Sequence, residues 1–523
     1  MIIDELAVYL KPGQRVNLRS EIARLLQKGA EQIEDYRILR RSIDARKKSR
    51  VRLLYRIEVS LSGRSGEMGI QPVAPVADPA RARISAIRGS RRIGSNPVIV
   101  GTGPAGLFAA LALCRKGYQP LVLERGEGMA RRVEAVGNFW REGRLDPESN
   151  VQFGEGGAGT FSDGKLTTRS KHPLVENVFA TFYEFGAPED ILYEQKPHLG
   201  TEKVRGIVCR IRNRIIEMGG TFLYGSRMER LMLRSGTVAG VQTSKDRIET
   251  DAVFLATGHS ARETYAMLQD VGVVLEAKAF AVGFRIEHPQ ALIDRAQYGP
   301  FAGHPELGAA DYRLTWKNHP GRRGVYSFCN CPGGVVVAAA SEAGGVVTNG
   351  MSWHGRDTGL SNSAIVVSVS PEDFGSQGPL AGILFQREIE RASYEIGGGS
   401  YLAPAQRTPD FLSGRSSTGQ IRSSYRPGVV PAEIGGLLPV GLSQALKGAL
   451  DDFKAKIRGF ENSVIVAPET RTSAPVRILR DRVTLESVNT PGLYPVGEGS
   501  GYAGGIVSSA VDGLKAVLHI AER

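Results

Sequence analysis

Val98-Ile99-Val100-Gly101-Thr102-Gly103-Pro104-Ala105-Gly106 is the stretch whose reading decides the fold. Three apolar residues, two of them Val, read as a buried strand that runs directly into Gly-x-Gly-x-x-Gly. Leu107-Phe108-Ala109-Ala110-Leu111-Ala112-Leu113 follows as a small apolar helix, ended by Gly117. Leu121-Val122-Leu123 predicts a second strand, with Glu124 and Arg125 at its end. Strand, glycine turn, helix, strand and acid in this order make a dinucleotide-binding unit of the Rossmann type. Glu124 falls 18 residues after Gly106, close to the expected spacing of about 20. Gly101 permits the tight turn, Gly103 lets the backbone approach a pyrophosphate, and Gly106 lets the helix lie close on the strand. The helix start at Pro104-Ala105 presents unsatisfied N–H groups to an anion, and Glu124 can accept from the adenosine ribose hydroxyls.

This fingerprint does not separate NAD from FAD. Two later segments bear on the choice. Val253-Phe254-Leu255-Ala256-Thr257-Gly258 is a strand ending in Ala-Thr-Gly. Gly492-Leu493-Tyr494-Pro495-Val496-Gly497-Glu498-Gly499 is a short strand ending in Gly-acid, followed by Gly504-Gly505 and an apolar helix over Ile506–Leu518. With these marks the chain resembles, over nearly its whole length, the bacterial FAD-dependent dehydrogenase-like proteins. These are also called NAD(FAD)-utilising dehydrogenases and are distant relatives of the fumarate-reductase-like flavoproteins. The resemblance implies non-covalent FAD, with the acid after Gly497 on the ribityl chain and the helix at Ile506 facing the flavin N1–O2 edge. Glu498 stands where many relatives carry Asp, which makes a longer arm.

The telling segment is Gln152-Phe153-Gly154-Glu155-Gly156-Gly157-Ala158-Gly159-Thr160-Phe161-Ser162-Asp163-Gly164-Lys165-Leu166. In similar flavoproteins a loop of small residues here passes the pyrophosphate and the flavin ring, and its backbone amides can donate hydrogen bonds. A purely structural glycine loop is the other reading. The cofactor-binding candidates are therefore Gly101, Gly103, Pro104, Ala105, Gly106, Glu124 and Arg125. From the loop come Gly156, Gly157, Ala158, Gly159, Thr160, Ser162 and Lys165, and further along Met228, Thr257 and Gly258. Gly497, Glu498, Gly504, Gly505 and Ile506 complete the set.

The expected architecture is α/β. A Rossmann-type FAD-binding domain takes residues 96–262 and 435–523, and a mainly β cap over 263–434 is inserted to build the substrate pocket. Val335–Ala340 and Ala364–Val369 supply strand-like runs in the cap. Its chemical candidates each have a plain alternative. Cys329 and Cys331 are a thiol pair near the flavin, or two small residues at a turn. Their Cys-x-Cys spacing differs from the Cys-x-x-Cys of disulfide reductases. His259, just after Ala-Thr-Gly, is an acid/base for proton transfer coupled to hydride transfer, or an N-cap neighbour without chemistry. Arg285, in Gly-Phe-Arg-Ile-Glu-His-Pro, holds a carboxylate substrate, or sits with Glu287 and His288 in a surface turn.

Working outward, the chain has 523 residues with 41% hydrophobic and 23% charged, ordinary values for a globular protein of several domains. Gly contributes 64 residues, which suits tight turns and close approach to a ligand. Four Cys cannot make a secreted-type disulfide framework, and the eight His show no metal-ligand spacing, so no metal is expected. No apolar run nears the ~20 residues that span a bilayer, and the N-terminus lacks a basic leader, so a cytoplasmic protein without membrane contact is expected. Gly-x-Ser-x-Gly and Walker patterns are absent. The net charge of +12 is concentrated: residues 1–95 hold 20 Lys/Arg against 10 Asp/Glu.

That basic part reads as a βαββ domain over 1–61, with strands at 6–10, 36–43 and 51–61 and a helix from Ser20, as N-cap, to Asp35. A Pro-rich linker or arm follows over 62–95. The resemblance makes this domain a family feature, so nucleic-acid binding is not expected of it. The reading is an FAD-dependent oxidoreductase passing a hydride or electrons between a small-molecule substrate under the cap and the flavin. The alternatives are a flavin reductase fed by NAD(P)H, or a flavin-bearing binding or sensor protein using its basic module. No second strand–glycine–helix unit is seen, so NAD(P)H is at most a transient donor.

Overall fold

The computed structural model describes residues 1–62, 89–317, 323–375 and 377–523. Most of the linker expected at 62–95 lies outside them. From residue 89 the chain is tied to the C-terminus: Arg91 donates its N–H to the His519 carbonyl at 3.1 Å, and Ala521 N–H donates to Arg91 O at 2.7 Å.

The decisive stretch forms as read. Strands Val98–Val100, Leu121–Leu123, Thr221–Leu223, Val253–Leu255 and Leu493–Pro495 build a parallel five-stranded sheet. Its spatial order is 493–495, 253–255, 98–100, 121–123, 221–223. Register is what makes the site: Val100 lies opposite Leu123 on one side and Leu255 on the other, and Leu255 lies opposite Pro495. Gly101, Glu124, Ala256 and Val496 therefore leave one edge together, the carboxyl edge where ligands of such sheets bind. Helix Pro104–Arg115 is buried along almost its whole length because it is wedged between this sheet and helix Ile506–Leu518. The fit leaves no room for side chains at the crossings. A Cβ on Gly106 would stand 2.0 Å from Gly101 O, and one on Gly513 2.1 Å from Ala105 O.

The cap contains a seven-stranded sheet. In spatial order its strands are Thr315–Lys317, Gly324–Pro332, Leu360–Val369, Phe280–Pro289, Val464–Glu469, Ala403–Arg407 and Val429–Pro431. The helices Ala381–Ile396 and Val440–Lys456 pack on it through Phe385, Ile389, Leu442 and Leu446. Strand Val464–Glu469 pairs with Phe280–Pro289. The boundary read at 434/435 thus cuts through the cap sheet, because local apolar runs do not reveal which sheet a strand will join. Of the two runs expected in the cap, residues 335–338 form a separate hairpin with Thr348–Met351.

Strand Phe280–Pro289 is flanked by strands on both sides and buried at every residue but the last. This overturns the surface turn read for Arg285, Glu287 and His288. Pro289 ends the strand, and each polar side chain has a partner: Arg285 pairs with Glu469, Glu287 with Ser424 N–H, and His288 Nε2 with Phe460 O at 2.8 Å, which leaves His288 Nδ1 alone without one among the described residues.

The N-terminal domain is a three-stranded antiparallel sheet of Ile2–Tyr9, Arg52–Leu61 and Ile33–Asp44, with Arg52–Leu61 central. Its helix runs from Leu18 to Leu26, capped by Asn17, whose Oδ1 accepts from Ser20 N–H at 3.1 Å. The helix expected from Ser20 to Asp35 is thus shorter. Gln27 turns left-handed at φ 53° and stops it, and Ile33 already starts a strand. This domain shares one apolar core with the cap, where Ile22, Leu53 and Ile57 join Phe301, Leu307 and Tyr312. Arg41 reaches out to Glu194 at 2.6 Å and to Glu306 at 3.3 Å.

Candidate active site

A cavity opens where the carboxyl edge of the parallel sheet faces the cap. Its wall includes Gly101, Gly103, Pro104 and Ala105 from the glycine turn, and Glu124 and Arg125 after the second strand. Gly157, Ala158, Gly159, Ser162 and Lys165 come from the loop, with Met228, Thr257 and Gly258 beyond it. Gly497, Glu498, Gly504, Gly505 and Ile506 close the far side. Segments some 400 residues apart in the chain thus share one surface. The cap contributes Phe328, Cys329, Asn349, Glu469, Arg471 and Thr472.

Several of these glycines are small for the sake of the cavity. Gly258, Gly504 and Gly505 have no protein atom within 4 Å of where a Cβ would stand, and at Gly103 only the Cα of Gly157 comes to 3.9 Å. Side chains there would project into the cavity and not into the protein, so the residues form a cradle that a ligand can approach closely. Gly106, Gly156 and Thr160 lie behind that wall. Gly106 serves helix packing, and a Cβ on Gly156 would meet Thr160 Cγ2 at 2.4 Å, so both shape the turn and do not face the cavity.

Glu124 is already fully engaged. Oε1 accepts from Gly126 N–H at 3.0 Å and Gly154 N–H at 2.9 Å. Oε2 accepts from Thr102 N–H at 3.0 Å and the Thr102 hydroxyl at 2.5 Å. A carboxylate offers about four acceptor positions, so the acid that reads as a ribose acceptor also ties the glycine turn to the loop. Reception of a ribose hydroxyl there requires the Thr102 hydroxyl to turn away.

Sequence reasoning missed the group that shapes the loop. Arg132, fully buried on helix Met129–Glu142, donates to the carbonyls of Asn150, Val151, Gly154, Glu155 and Gly157 and to Thr160 Oγ1, at 2.6 to 3.2 Å. Burial pulls its guanidinium down to about 9. One side chain thereby turns loop carbonyls away from the cavity. Nothing in Met-Ala-Arg-Arg-Val-Glu distinguishes Arg132 from its exposed neighbour Arg131. Asp512 is similar. Embedded in an apolar helix, it accepts from Arg480 at 2.7 and 2.8 Å and from Gly497 N–H at 2.8 Å, fixing the last turn. A lone acid in that helix was the available signal.

The four chemical candidates separate. Cys329 and His259 face the cavity, whereas Cys331 and Arg285 are sealed behind it. Arg285 donates to Asn362 Oδ1 at 2.8 Å, Glu469 Oε1 at 3.1 Å and Cys329 O at 2.7 Å, so it is no receptor for a carboxylate substrate. His259 shares a proton position with Ser260 Oγ at 2.9 Å. Burial, then Arg471 and Arg262, pull it down to about 3, so it is a neutral imidazole at neutral pH. Burial pushes Glu469 up to about 7 against the pull of Arg285, and Glu498 up to about 7 against Lys278. Lys165 stands in the same wall, 3.8 Å from buried Asp163.

A parallel sheet with its glycine turn, helix N-terminus and glycine cradle under a second domain defines a dinucleotide-binding protein. Residues 279–472 match the family described as "FAD-dependent protein, C-terminal domain-like", residues 99–136 an NAD(P)-binding Rossmann-like domain, and residues 2–60 a domain of unknown function. A protein of Clostridium beijerinckii described as "Uncharacterized protein" is 47% identical over 511 residues, 97% of this chain and 96% of its own. Protein FixC of Escherichia coli is 29% identical over 224 residues, and the match spans about half (49%) of that protein's length and 40% of this chain. Among solved structures, GidA of Aquifex aeolicus aligns with a TM-score of 0.35 at 11% identity, over 81% of this chain and 62% of that one. The chain belongs to the family of FAD-dependent proteins represented by the Clostridium beijerinckii homologue. It is an FAD-dependent oxidoreductase. No described helix is long and apolar enough to cross a membrane.

Proposed function

We propose that the protein oxidises or reduces a small molecule held under the cap, with FAD bound non-covalently along the cavity. The observation that carries this reading is the shared wall: the carboxyl edge of the parallel sheet and the cap residues Cys329, Asn349, Glu469 and Arg471 border one cavity. FAD supplies a two-electron acceptor there. The turn at Gly101–Ala105 and the start of helix Pro104–Arg115 would hold its pyrophosphate through backbone N–H groups. Arg125, whose guanidinium lies 3.9 Å from the centre of the Phe153 ring, and Glu124 border the adenosine end. The start of helix Ile506–Leu518 presents its positive dipole end to the cavity, which would favour negative charge on a flavin edge bound there.

The remaining groups handle protons. Glu469 and Glu498, poised near neutrality, can hold one at a carboxyl oxygen, whereas His259, pulled down to about 3, stays neutral and serves as a hydrogen-bonding group. Lys165 sets a positive potential at the wall, which suits an anionic or electron-rich substrate. The N-terminal domain serves as a docking element for the cap, consistent with its shared apolar core and the Arg41 pairs. Purified protein is expected to be yellow, to release FAD on acid precipitation and to bleach anaerobically with one class of donor in a substrate screen. Colourless protein that does not take up FAD would sink the proposal. Fast, saturable bleaching by NADH or NADPH alone would replace the substrate-first order with a reductase.

A further inference from the structure

The Cys-x-Cys segment lies at a defect in the cap sheet. Strand Gly324–Pro332 pairs Phe328 with Ala364 and then Cys331 with Asn362, three steps against two. The extra residue makes a β-bulge, a device that re-aims side chains. Cys329 takes up the distortion with φ 45°, a left-handed conformation disfavoured for a non-glycine residue. In return its side chain reaches the cavity wall while Cys331 stays fully buried behind it, its thiol donating to the Cys329 carbonyl at 3.4 Å. Arg285 clamps the bulge from beneath: one guanidinium nitrogen donates to Cys329 O at 2.7 Å and to Cys331 Sγ at 3.4 Å, while the other engages Glu469.

Two cations, Lys165 and Arg285, act on the pair. The neighbouring Cys331 thiol, with Lys165 and Arg285 working against burial, holds Cys329 well below the usual thiol range, while Cys331 is raised by the adjacent Cys329 and by burial. Cys114 offers a contrast. It is buried in helix Pro104–Arg115, where burial pushes it up to about 11, the state of an inert structural thiol. The described residues contain no group of three metal-ligating side chains, so the pair is not part of a metal site among them. Two packing residues at a turn would need neither a strained backbone at the cavity wall nor a buried arginine beneath.

From this juxtaposition we infer that Cys329 and Cys331 are a dithiol–disulfide couple that exchanges two electrons with the flavin, and that an external small dithiol recharges it. The inference rests on the proposal that the cavity holds FAD. In the oxidising direction the Cys331 S–H bond breaks and a bond forms between the two sulfurs. The Cys329 thiolate and Cys331 thiol together lose two electrons and one proton, all three taken up by oxidised flavin. Attack of an external thiolate on the cavity-facing Cys329 sulfur then opens the disulfide. A second thiol of the same reductant completes the exchange and leaves as its own disulfide.

The test uses full-length, FAD-loaded protein equilibrated anaerobically in mixtures of reduced and oxidised dithiothreitol, then quenched with N-ethylmaleimide and mapped by mass spectrometry. Alkylation at positions 329 and 331 is expected to disappear together, with a linked peptide 2 Da lighter than the reduced form (the mass of two hydrogen atoms), while Cys114 and Cys209 do not join the step. In Cys331→Ser the paired step is expected to vanish, and anaerobic bleaching of bound FAD by dithiothreitol to slow by more than about tenfold, because the oriented partner thiol is gone. Mapping of the wild type needs no variant, so a misfolded Cys331→Ser leaves the test intact. Independent alkylation of both cysteines in every mixture would overturn the couple, even with FAD bound and bleached by another donor. Failure of the protein to bind FAD at all would overturn the cavity proposal and the electron exchange with it, whether or not the disulfide forms.

Discussion

Arg262 and Glu390, 128 residues apart, meet in two parallel hydrogen bonds of 2.9 and 2.8 Å. Arg262 opens the helix after the Ala-Thr-Gly strand, and Glu390 lies on the cap helix Ala381–Ile396, so the pair joins the two domains beside the cavity. Arg471, in the cavity wall, adds bonds of 3.0 and 2.9 Å to the same carboxylate, and the Thr470 hydroxyl adds one of 2.6 Å. Burial would raise Glu390, but the two guanidinium groups hold it well below the usual carboxylate range.

Glu390→Ala leaves two buried guanidinium groups without their main partner. Removing one member of a buried ion pair costs about 3–5 kcal/mol. The urea midpoint is expected to fall accordingly, with cap and FAD-binding domain separating into two unfolding steps. A shift below about 1 kcal/mol would show that the latch contributes little beyond a surface pair.

Acid should unfold the protein below about pH 4.5, with a shallow profile from there to 7. Burial presses His198 and His288 to about 4 and, with Arg471 and Arg262, His259 to about 3, against an ordinary 6.5. The unfolded chain therefore binds more protons there as pH falls below 6.5, which lowers stability. Glu469 and Glu498, raised to about 7, bind protons in the folded state over much the same range and act in the opposite sense. Below 4.5 that compensation ends, and Glu390, Asp163 and Glu342, held low in the folded state, bind protons more readily in the unfolded chain, so stability falls further as pH drops. Stability at pH 4 as high as at pH 6, measured by urea unfolding, would contradict this balance.

The two glycines of the turn should fail differently. Gly103 has φ −66°, open to any residue, and only Gly157 Cα near its Cβ position, so Gly103→Val is expected to fold and to purify without FAD. Gly106→Ala puts a Cβ 2.0 Å from Gly101 O and should lower stability by about 1–3 kcal/mol, the range for overpacking. Full flavin occupancy in Gly103→Val, read from absorbance, would refute the cradle.

Deleting residues 1–60 uncovers the apolar cap surface around Phe301, Leu307 and Tyr312. The truncated protein is expected to aggregate or associate while any soluble fraction keeps FAD, as followed by light scattering and absorbance. Tight, sequence-dependent DNA binding by the intact protein would instead assign the basic domain to nucleic acid.

The amino-acid sequence by itself determined the dinucleotide unit. From Val98 to Glu124 every element lies next to the one it packs on, so strand pattern, glycine spacing and the terminal acid specify the turn within 27 consecutive residues. Tertiary structure decided the rest. Which sheet Val464–Glu469 joins, and that Arg285 lies in a central strand and not a turn, depend on strand pairing across some 180 residues. Arg132, Arg262 and Arg471 look like any surface arginine in the sequence. Their roles exist only because the fold buries them, and a buried guanidinium must find acceptors wherever the packing brings carbonyls or carboxylates within reach. The thiols of Cys329 and Cys331 follow the same logic: their spacing is local, but the bulge, the clamp of Arg285 and the charge of Lys165 reach them through space.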